Sequence, residues 1–345
     1  MQMRFHFGER DRDGDGPLEP AVMDACARRG VRAAALMRGA EGFGGKHRLR
    51  TDRLLSLSED TPLLAVAVGD DRGIEALAEE VRELAGEGLL LLEAVAAEAL
   101  TTGTATPSAA VAAAPVVGAP GDGGGTDADR VKVTVWGPRT GPTAPHLAAV
   151  AALKRCGAES AAVLLGVDGV LDGERRRARF VAGNRGVPAL TVGVGTRAAI
   201  DAALAELDGA ATLVTVEGVA PNSHIDRVSR HASAGDRASA KAIRVTLVTS
   251  EVAARGSHPA YVEFIHRLRR EGAAGATALR GVWGFRGEGE PHGDRVLALR
   301  RDVPMVVEVV DSPERAVRWL ELAQEIGSDG DIVYVEKIPT AITLR

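Results

Sequence analysis

The sequence predicts an α+β protein made of three tandem ferredoxin-like βαββαβ modules. One set of marks recurs three times: a helix-like stretch ending in Gly, an Ala-rich run to a second Gly, a long loop closing at Pro, and a last strand holding Glu. These are Gly30, Gly39, Pro62 and Glu93 in copy one, Gly157, Gly166, Pro188 and Glu217 in copy two, and Gly272, Gly281, Pro304 and Glu336 in copy three. The two glycines keep one separation throughout, so register is held and not composition alone; internal repeats take precedence over any single-domain reading. The second observation is the order of apolar periods, strand, helix, strand, strand, helix, strand, which is the ferredoxin-like motif.

Each element follows from its own stretch. In copy one Met3, Phe5 and Phe7 alternate with Arg4 and His6, the period of a half-buried strand. Asp11 to Pro17 is rich in turn formers. Pro20 to Arg29 suits a helix, with Val22, Met23 and Cys26 on one face and Gly30 where a C-terminal cap belongs. Ala33 to Met37 and Leu63 to Val68 read as buried strands, Ile74 to Leu84 as an amphipathic helix, and Leu89 to Val95 as the closing strand. Copy two repeats the order with Val131 to Trp136, His146 to Arg155, Ser160 to Leu165, Ala189 to Val194, Arg197 to Leu207 and Thr212 to Val219. Copy three uses Ile243 to Thr249, Ala260 to Arg270, Ala276 to Arg280, Met305 to Val310, Pro313 to Ile326 and Ile332 to Ile338.

The modules are therefore expected at 1–100, 130–221 and 241–345. Residues 101–129, almost all Ala, Gly, Pro, Thr and Asp, read as a disordered linker with a reach of roughly 30 Å. Residues 222–240 form a shorter polar linker carrying Arg227, Arg230, His231 and Arg237. In such a module the helices cover one face of an antiparallel sheet and leave the other needing cover. Neighbouring copies are the expected cover; three independent beads are the alternative.

Bulk composition excludes several classes. The 345 residues are 45% hydrophobic and 26% charged with a net charge of −5, which gives no global basic field to attract nucleic acid. Cys26 and Cys156 fall at different places in their repeats and read as core residues, not a disulfide or redox pair. Met1 to Phe7 lacks the apolar core of a signal peptide, and the apolar run Leu89 to Leu92 is far below the roughly 20 residues that span a bilayer. A cytoplasmic location is expected.

The long loop after the second strand carries the functional reading. It joins adjacent strands with over twenty residues in every copy, and loops of that length inside compact domains tend to be functional or disordered. Copy one opens it with Arg38, Gly39, Gly42, Phe43, Gly44 and Gly45, then Lys46, His47, Arg48, Arg50 and Arg53. Copy three opens with Arg280, Gly281, Gly284 and Phe285, then Arg286, His292, Arg295, Arg300 and Arg301. Positive charge beside glycines that allow close backbone approach suits an anionic ligand such as a nucleotide phosphate. Arg53, Arg179 and Arg295 each stand nine residues before the closing Pro, which makes this guanidinium the best single ligand contact. Phe43 and Phe285 could stack on a base or anchor the loop. Copy two departs: Gly166, Val167, Asp168, Gly169 and Val170 replace the Arg-Gly and Gly-Phe pattern, before Arg175, Arg176, Arg177 and Arg179. It reads as a degenerate module.

The strings Leu36-Met37-Arg38-Gly39-Ala40-Glu41-Gly42-Phe43-Gly44 and Leu279-Arg280-Gly281-Val282-Trp283-Gly284-Phe285 resemble the LRGxxGFG signature of the DUF190 family of PII-like proteins. Arg53 to Pro62 and Gly8-Glu9-Arg10-Asp11 resemble it too. His292 stands where the family usually has His, whereas copy one has Arg50 and copy two Arg176. The resemblance implies ferredoxin-like subunits in a compact trimer, a T-loop between strands two and three, and small effectors in the clefts between subunits. Three fused copies then imply a monomeric, PII-like intramolecular pseudo-trimer. They also imply a non-enzymatic regulator that binds an anionic effector, an adenine nucleotide foremost, and contacts a membrane transporter, a fluoride-export type of channel, or an enzyme. Alternatives are a structural adaptor without ligand, a metal-binding protein like the CutA branch, and a nucleotide hydrolase. His6, His47, His258, His266 and His292 do not recur in register, which speaks against a threefold metal site. No nucleophile elbow or recurring acid pair supports hydrolysis.

Overall fold

Alternation along the first strand of each repeat sets the architecture, because successive side chains of a strand point to opposite faces. Met3, Phe5 and Phe7 face one way from strand Gln2–Gly8, as do Val131, Val133 and Val135 from Arg130–Pro138, and Ile243, Val245 and Leu247 from Ala242–Ser250. Each set lies in a hydrophobic core with the helices of its own repeat. The computed structural model describes residues 1–14, 16–45, 49–51, 60–99, 129–139, 145–179, 184–207, 213–221, 241–255, 258–293 and 302–344. Both expected linkers, apart from Asp129, lie outside these residues.

The first third contains β1 (Gln2–Gly8), α1 (Leu18–Arg28), β2 (Ala33–Arg38), β3 (Glu41–Phe43), β4 (Pro62–Val68), α2 (Asp71–Leu84), β5 (Gly88–Glu93) and β6 (Ala96–Glu98). The second contains β7 (Arg130–Pro138), α3 (Pro145–Arg155), β8 (Ser160–Leu171), β9 (Glu174–Arg177), β10 (Pro188–Thr196), α4 (Arg197–Ala205), β11 (Leu213–Gly218) and β12 (Ala220–Pro221). The third contains β13 (Ala242–Ser250), α5 (Ala260–Arg270), β14 (Ala276–Arg280), β15 (Trp283–Arg286), β16 (Pro304–Asp311), α6 (Pro313–Ile326), β17 (Ile332–Ile338) and β18 (Thr340–Leu344). Several two-residue bridges complete the set.

The chain is α+β with a large antiparallel sheet. Within each third the antiparallel order is the same: β5-β1-β4-β2, β11-β7-β10-β8 and β17-β13-β16-β14. The first helix of each third ends at a glycine with positive φ, Gly30 at 64°, Gly157 at 83° and Gly272 at 82°, a conformation glycine adopts without strain. Helix starts use local chemistry. The Asp70 carboxylate accepts from the Gly73 amide at 2.8 Å ahead of α2, and the Thr196 hydroxyl accepts from the Ala199 amide at 3.3 Å ahead of α4.

The thirds exchange strands in two cycles. After its second strand each repeat lays a short segment along the second strand of another: β3 pairs with β14, β15 with the Ser160–Val163 part of β8, and the Gly166–Leu171 part of β8 with β2. After its last strand each repeat adds a tail to the edge of another: β6 pairs with β11, β12 with β17, and β18 with β5. Among the described residues, each third thus gives and receives in both cycles. The helix-free faces meet in a shared cluster that includes Met37, Leu64, Trp136, Leu164, Leu190, Leu279 and Val306.

Three expectations change. Ser160 to Leu165 was the expected second strand of copy two, but β8 runs on to Leu171, because β2 supplies hydrogen-bonding partners past Gly166. The first helix of copy one starts at Leu18, ahead of Pro20, since proline fits a first helical turn. The strand at Met3 to Phe7 is not half-buried: Gln2 is 2% and Arg4 8% exposed on the face opposite the helices.

Candidate functional site

The glycines that open the long loop sit where backbones of two repeats meet. A Cβ at Gly42 would stand 2.5 Å from the carbonyl oxygen of Ala276, and one at Gly169 or Gly284 would stand closer still to that of Ala34 or Ala161. Each lies against the ring of the loop-closing proline, Pro62, Pro188 or Pro304. Gly39 and Gly281 donate their amides to the carbonyls of Pro62 and Pro304 at 2.7 and 2.8 Å. The following amides, of Ala40 and Val282, reach the carbonyls of Ala278 and Val163 in the adjoining repeat at 2.8 and 2.9 Å. The Gly-x-x-Gly spacing and the Pro mark therefore build a clasp between repeats.

The next residue anchors it. Phe43, 4% exposed, lies in the core of the third repeat; Val170 lies in that of the first; Phe285 lies in that of the second. Both phenylalanine rings are enclosed in those cores. Copy two keeps the device with Gly169 and Val170. Its arginines are largely committed to the interface: Arg177 meets Glu19 of α1 at 2.6 Å, and Arg175 meets Asp24 of the same helix and Asp168 at 2.6 Å. In copy one Glu41, at the position of Asp168, bonds His266 Nε2 of α5 at 2.9 Å.

Beside the clasps of copies one and three lie two related charged clusters. In the first, Glu9 accepts from Arg38 and from the Thr61 hydroxyl, while its amide donates to the Thr61 carbonyl at 2.9 Å. Arg50 lies across Gly8 and pairs with Asp60 at 2.9 Å and Asp11 at 3.7 Å. Burial pushes the Asp11 carboxyl up, opposed by the Gly8 amide and by Arg50. In the second, Arg280 meets Glu251 at 2.8 Å, the Glu251 amide donates to the Val303 carbonyl at 2.9 Å, and Asp302 accepts from Ser250. His292 takes the place of Arg50, with Nε2 3.6 Å from Asp302. In copy two Arg139 and Leu165 stand where Glu9 and Arg38 do, with only the backbone bond from Arg139 to the Val187 carbonyl kept, at 2.8 Å. Arg38 and Arg50 thus pair with acids on the segments at Gly8–Asp11 and Asp60–Thr61, and Arg280 and His292 with Glu251 and Asp302.

The chain's comparison with known families bears on these two copies. The DUF190 family model, described as uncharacterised, matches residues 1–97 and 242–339. The chain belongs to the DUF190 family. A curated relative, the UPF0166 protein of Aquifex aeolicus (strain VF5), is 32% identical over 75 residues, which is 22% of this chain and 71% of the relative. The DUF190 matches leave out the middle third, the one whose cluster has lost Glu and Arg.

Other residues of the expected site fall differently. Gly44 is exposed, and the exposed Arg179 donates its amide to the Asn184 side chain at 2.7 Å. Arg53 and Arg295, with Lys46, His47, Arg48, Arg300 and Arg301, lie outside the described residues. Among the described residues there is no group of His, Cys, Asp or Glu suited to a metal ion, and no helix is long and apolar enough to cross a membrane. Cys26 is buried, and burial pushes its thiol up to about 12, away from reactivity.

Sequence reading passed over a second polar assembly, at the meeting of the helix-free faces. Arg244, 0% exposed, bonds Glu336 through Nε at 2.7 Å and Glu93 through Nη1 at 2.6 Å. Lys132 reaches Glu336 at 2.5 Å and Glu217 at 3.0 Å, and Arg4 holds both oxygens of Glu308 at 2.6 Å. Glu93, Glu217 and Glu336 were visible as the fourth mark of the repeat; their convergence required knowing that the modules close on one another.

Proposed function

We propose that the chain is a PII-like regulatory protein in which three ferredoxin-like modules, at 1–100, 130–221 and 241–345, form an intramolecular pseudo-trimer. The observation that carries this reading is the double cycle of strand exchange, in which every third gives and receives a clasp and a tail. A module that lends part of its own core to the next is an assembly unit, and a single chain is then sufficient to complete the assembly.

The effector in this reading is a small anion, an adenine nucleotide foremost, held near Arg38 and Arg50 in one cleft and near Arg280 and His292 in another. Guanidinium groups suit phosphate through their fixed fork of donors. Glu9 and Glu251 pair with Arg38 and Arg280, so a phosphate at these guanidinium groups would exchange one anion for another. In this reading the long loops, with Arg53 and Arg295, contact a transporter, a channel or an enzyme. No reaction is assigned.

Titration calorimetry of the whole chain against a panel of nucleotides tests the reading. Binding of an adenine nucleotide that weakens on Arg38→Ala and on Arg280→Ala, with each variant retaining its melting temperature, is expected. If no nucleotide binds and none moves the melting temperature, the effector reading fails and a structural adaptor takes its place.

A further inference from the structure

Three glutamates recur at one position of the last strands, and the cations opposite them do not. Glu93 of β5 lies beside Gln2 of β1, Glu217 of β11 beside Lys132 of β7, and Glu336 of β17 beside Arg244 of β13. Three carboxylates therefore meet two cations, because the first repeat has Gln2 where the others have a base. The fourth carboxylate has its own cation: Arg4 makes its hydrogen bonds to Glu308. His6 adds no charge, since burial pushes its imidazole down to about 4.

The sharing among the three is unequal. Glu336 takes Lys132 at 2.5 Å and Arg244 at 2.7 Å, and Glu93 takes Arg244 at 2.6 Å and the Gln2 amide at 3.2 Å. Glu217 has Lys132 at 3.0 Å and Arg244 only at 3.9 Å, and its Oε1 has no hydrogen-bond partner among the described residues. It is 8% exposed. A buried carboxylate with a part-share of one ammonium is costly as an anion and is stabilised by a proton.

We propose that Glu217 carries a proton in the assembled protein, so that packing the three repeats together takes up one proton and stability falls as pH rises toward neutrality. The charged groups facing it are Lys132 on β7, Arg244 on β13, Glu336 on β17 and Glu93 on β5. Burial pushes the Glu217 carboxyl up to about 7, with Glu93 and Glu336 acting in the same direction and Lys132 and Arg244 against it. Starting from an ordinary value of 4.5, the unfolded chain releases a proton that the folded chain retains up to about 7. The contribution is fully present below about 4.5 and gone above about 7. Inside that window one proton of difference weakens the folding equilibrium roughly tenfold per pH unit.

The test uses the full chain and two variants. Glu217→Gln keeps shape and removes the titration; Gln2→Lys supplies the missing cation and leaves Glu217 in place. Chemical denaturation across pH 4 to 8 is expected to show Glu217→Gln losing roughly tenfold less per pH unit than the parent. Infrared difference spectra should show a protonated carboxyl band in the parent at pH 6 that is absent from both variants. A Glu217→Gln protein with the parent's pH slope, or a band that survives in it, overturns the proposal. Should Glu217→Gln fail to fold, retention of the band in Gln2→Lys would do the same.

Discussion

Gly42, Gly169 and Gly284 show why a glycine recurs at one place in all three repeats, and Gly284 adds a positive φ of 155°. Each has a carbonyl of another repeat where a side chain would go, and a backbone oxygen cannot swing aside as a flexible side chain can. Gly169→Ala or Gly284→Ala should therefore separate the paired strands and lower stability by roughly 1–3 kcal/mol, the usual cost of overpacking. Gly44→Ala, with open space at its Cβ position, should stay within about 0.5 kcal/mol, as exposed changes do. Urea denaturation of the three variants checks both values. Phe285→Ala should cost more, about 3–5 kcal/mol, because it leaves a cavity in the core of the second repeat. The sequence displayed these residues as a Gly-Phe pattern in two copies only. Val170 broke the letter pattern while keeping the role, since a smaller apolar residue still fills a core position, and only the pairing of β8 with β2 exposes the equivalence.

Within single repeats, elements were largely legible, because helix and strand periods and the helix-ending glycines are set by near neighbours in sequence. Ala260–Arg270, Ala276–Arg280, Pro313–Ile326 and Ile332–Ile338 agree with the periodic reading. Elements that exist only through another repeat were not legible: the Glu41–Phe43 strand, the second half of Ser160–Leu171, and the tails. A segment as short as Thr340–Leu344 has no strand signal of its own, yet it completes the outer edge of Gly88–Glu93, with Ile342 opposite Leu90. An uncovered edge of that kind is a template for pairing with other chains. Removing residues 340–345 should speed hydrogen exchange along Gly88–Leu92 and promote concentration-dependent association. Light scattering and exchange measured by mass spectrometry read the two effects. A truncated chain with parent-like protection at Leu90 and no association would show that the tail is dispensable to the edge.

At the scale of the whole molecule, the cores and the ionic centre lead to one expectation about cooperativity and another about acid. Phe43, Val170 and Phe285 each belong to the core of a repeat other than their own, so no repeat can lose its packing without opening a neighbour's. Heating should therefore give one transition with equal calorimetric and van't Hoff enthalpies, whereas independent beads would melt separately. The acid side follows from the carboxylates that are well paired. Glu308 is held down to about 2, against its burial, by Arg4 first and Arg244 next, and Glu336 is held down by Arg244 and Lys132. Glu93 is held down by Arg244, Arg4 and Lys132. Groups with lowered values contribute stability that is present above about 4.5 and lost as pH falls through the folded values. Protonated Glu217 works in the opposite direction over the window above 4.5. The ionic centre thus contributes most near pH 4.5 to 5, below the neutral region where paired carboxylates by themselves would leave it flat. Glu308→Gln isolates the acid limb, because it leaves Arg4 buried without its carboxylate. It should cost about 3–5 kcal/mol at pH 7, as breaking a buried pair does, and the loss should shrink as acid protonates Glu308 in the parent. Denaturation curves of parent and variant from pH 2 to 8 measure that convergence, and curves that stay parallel down to pH 2 would show that Arg4 and Glu308 are not linked in this way.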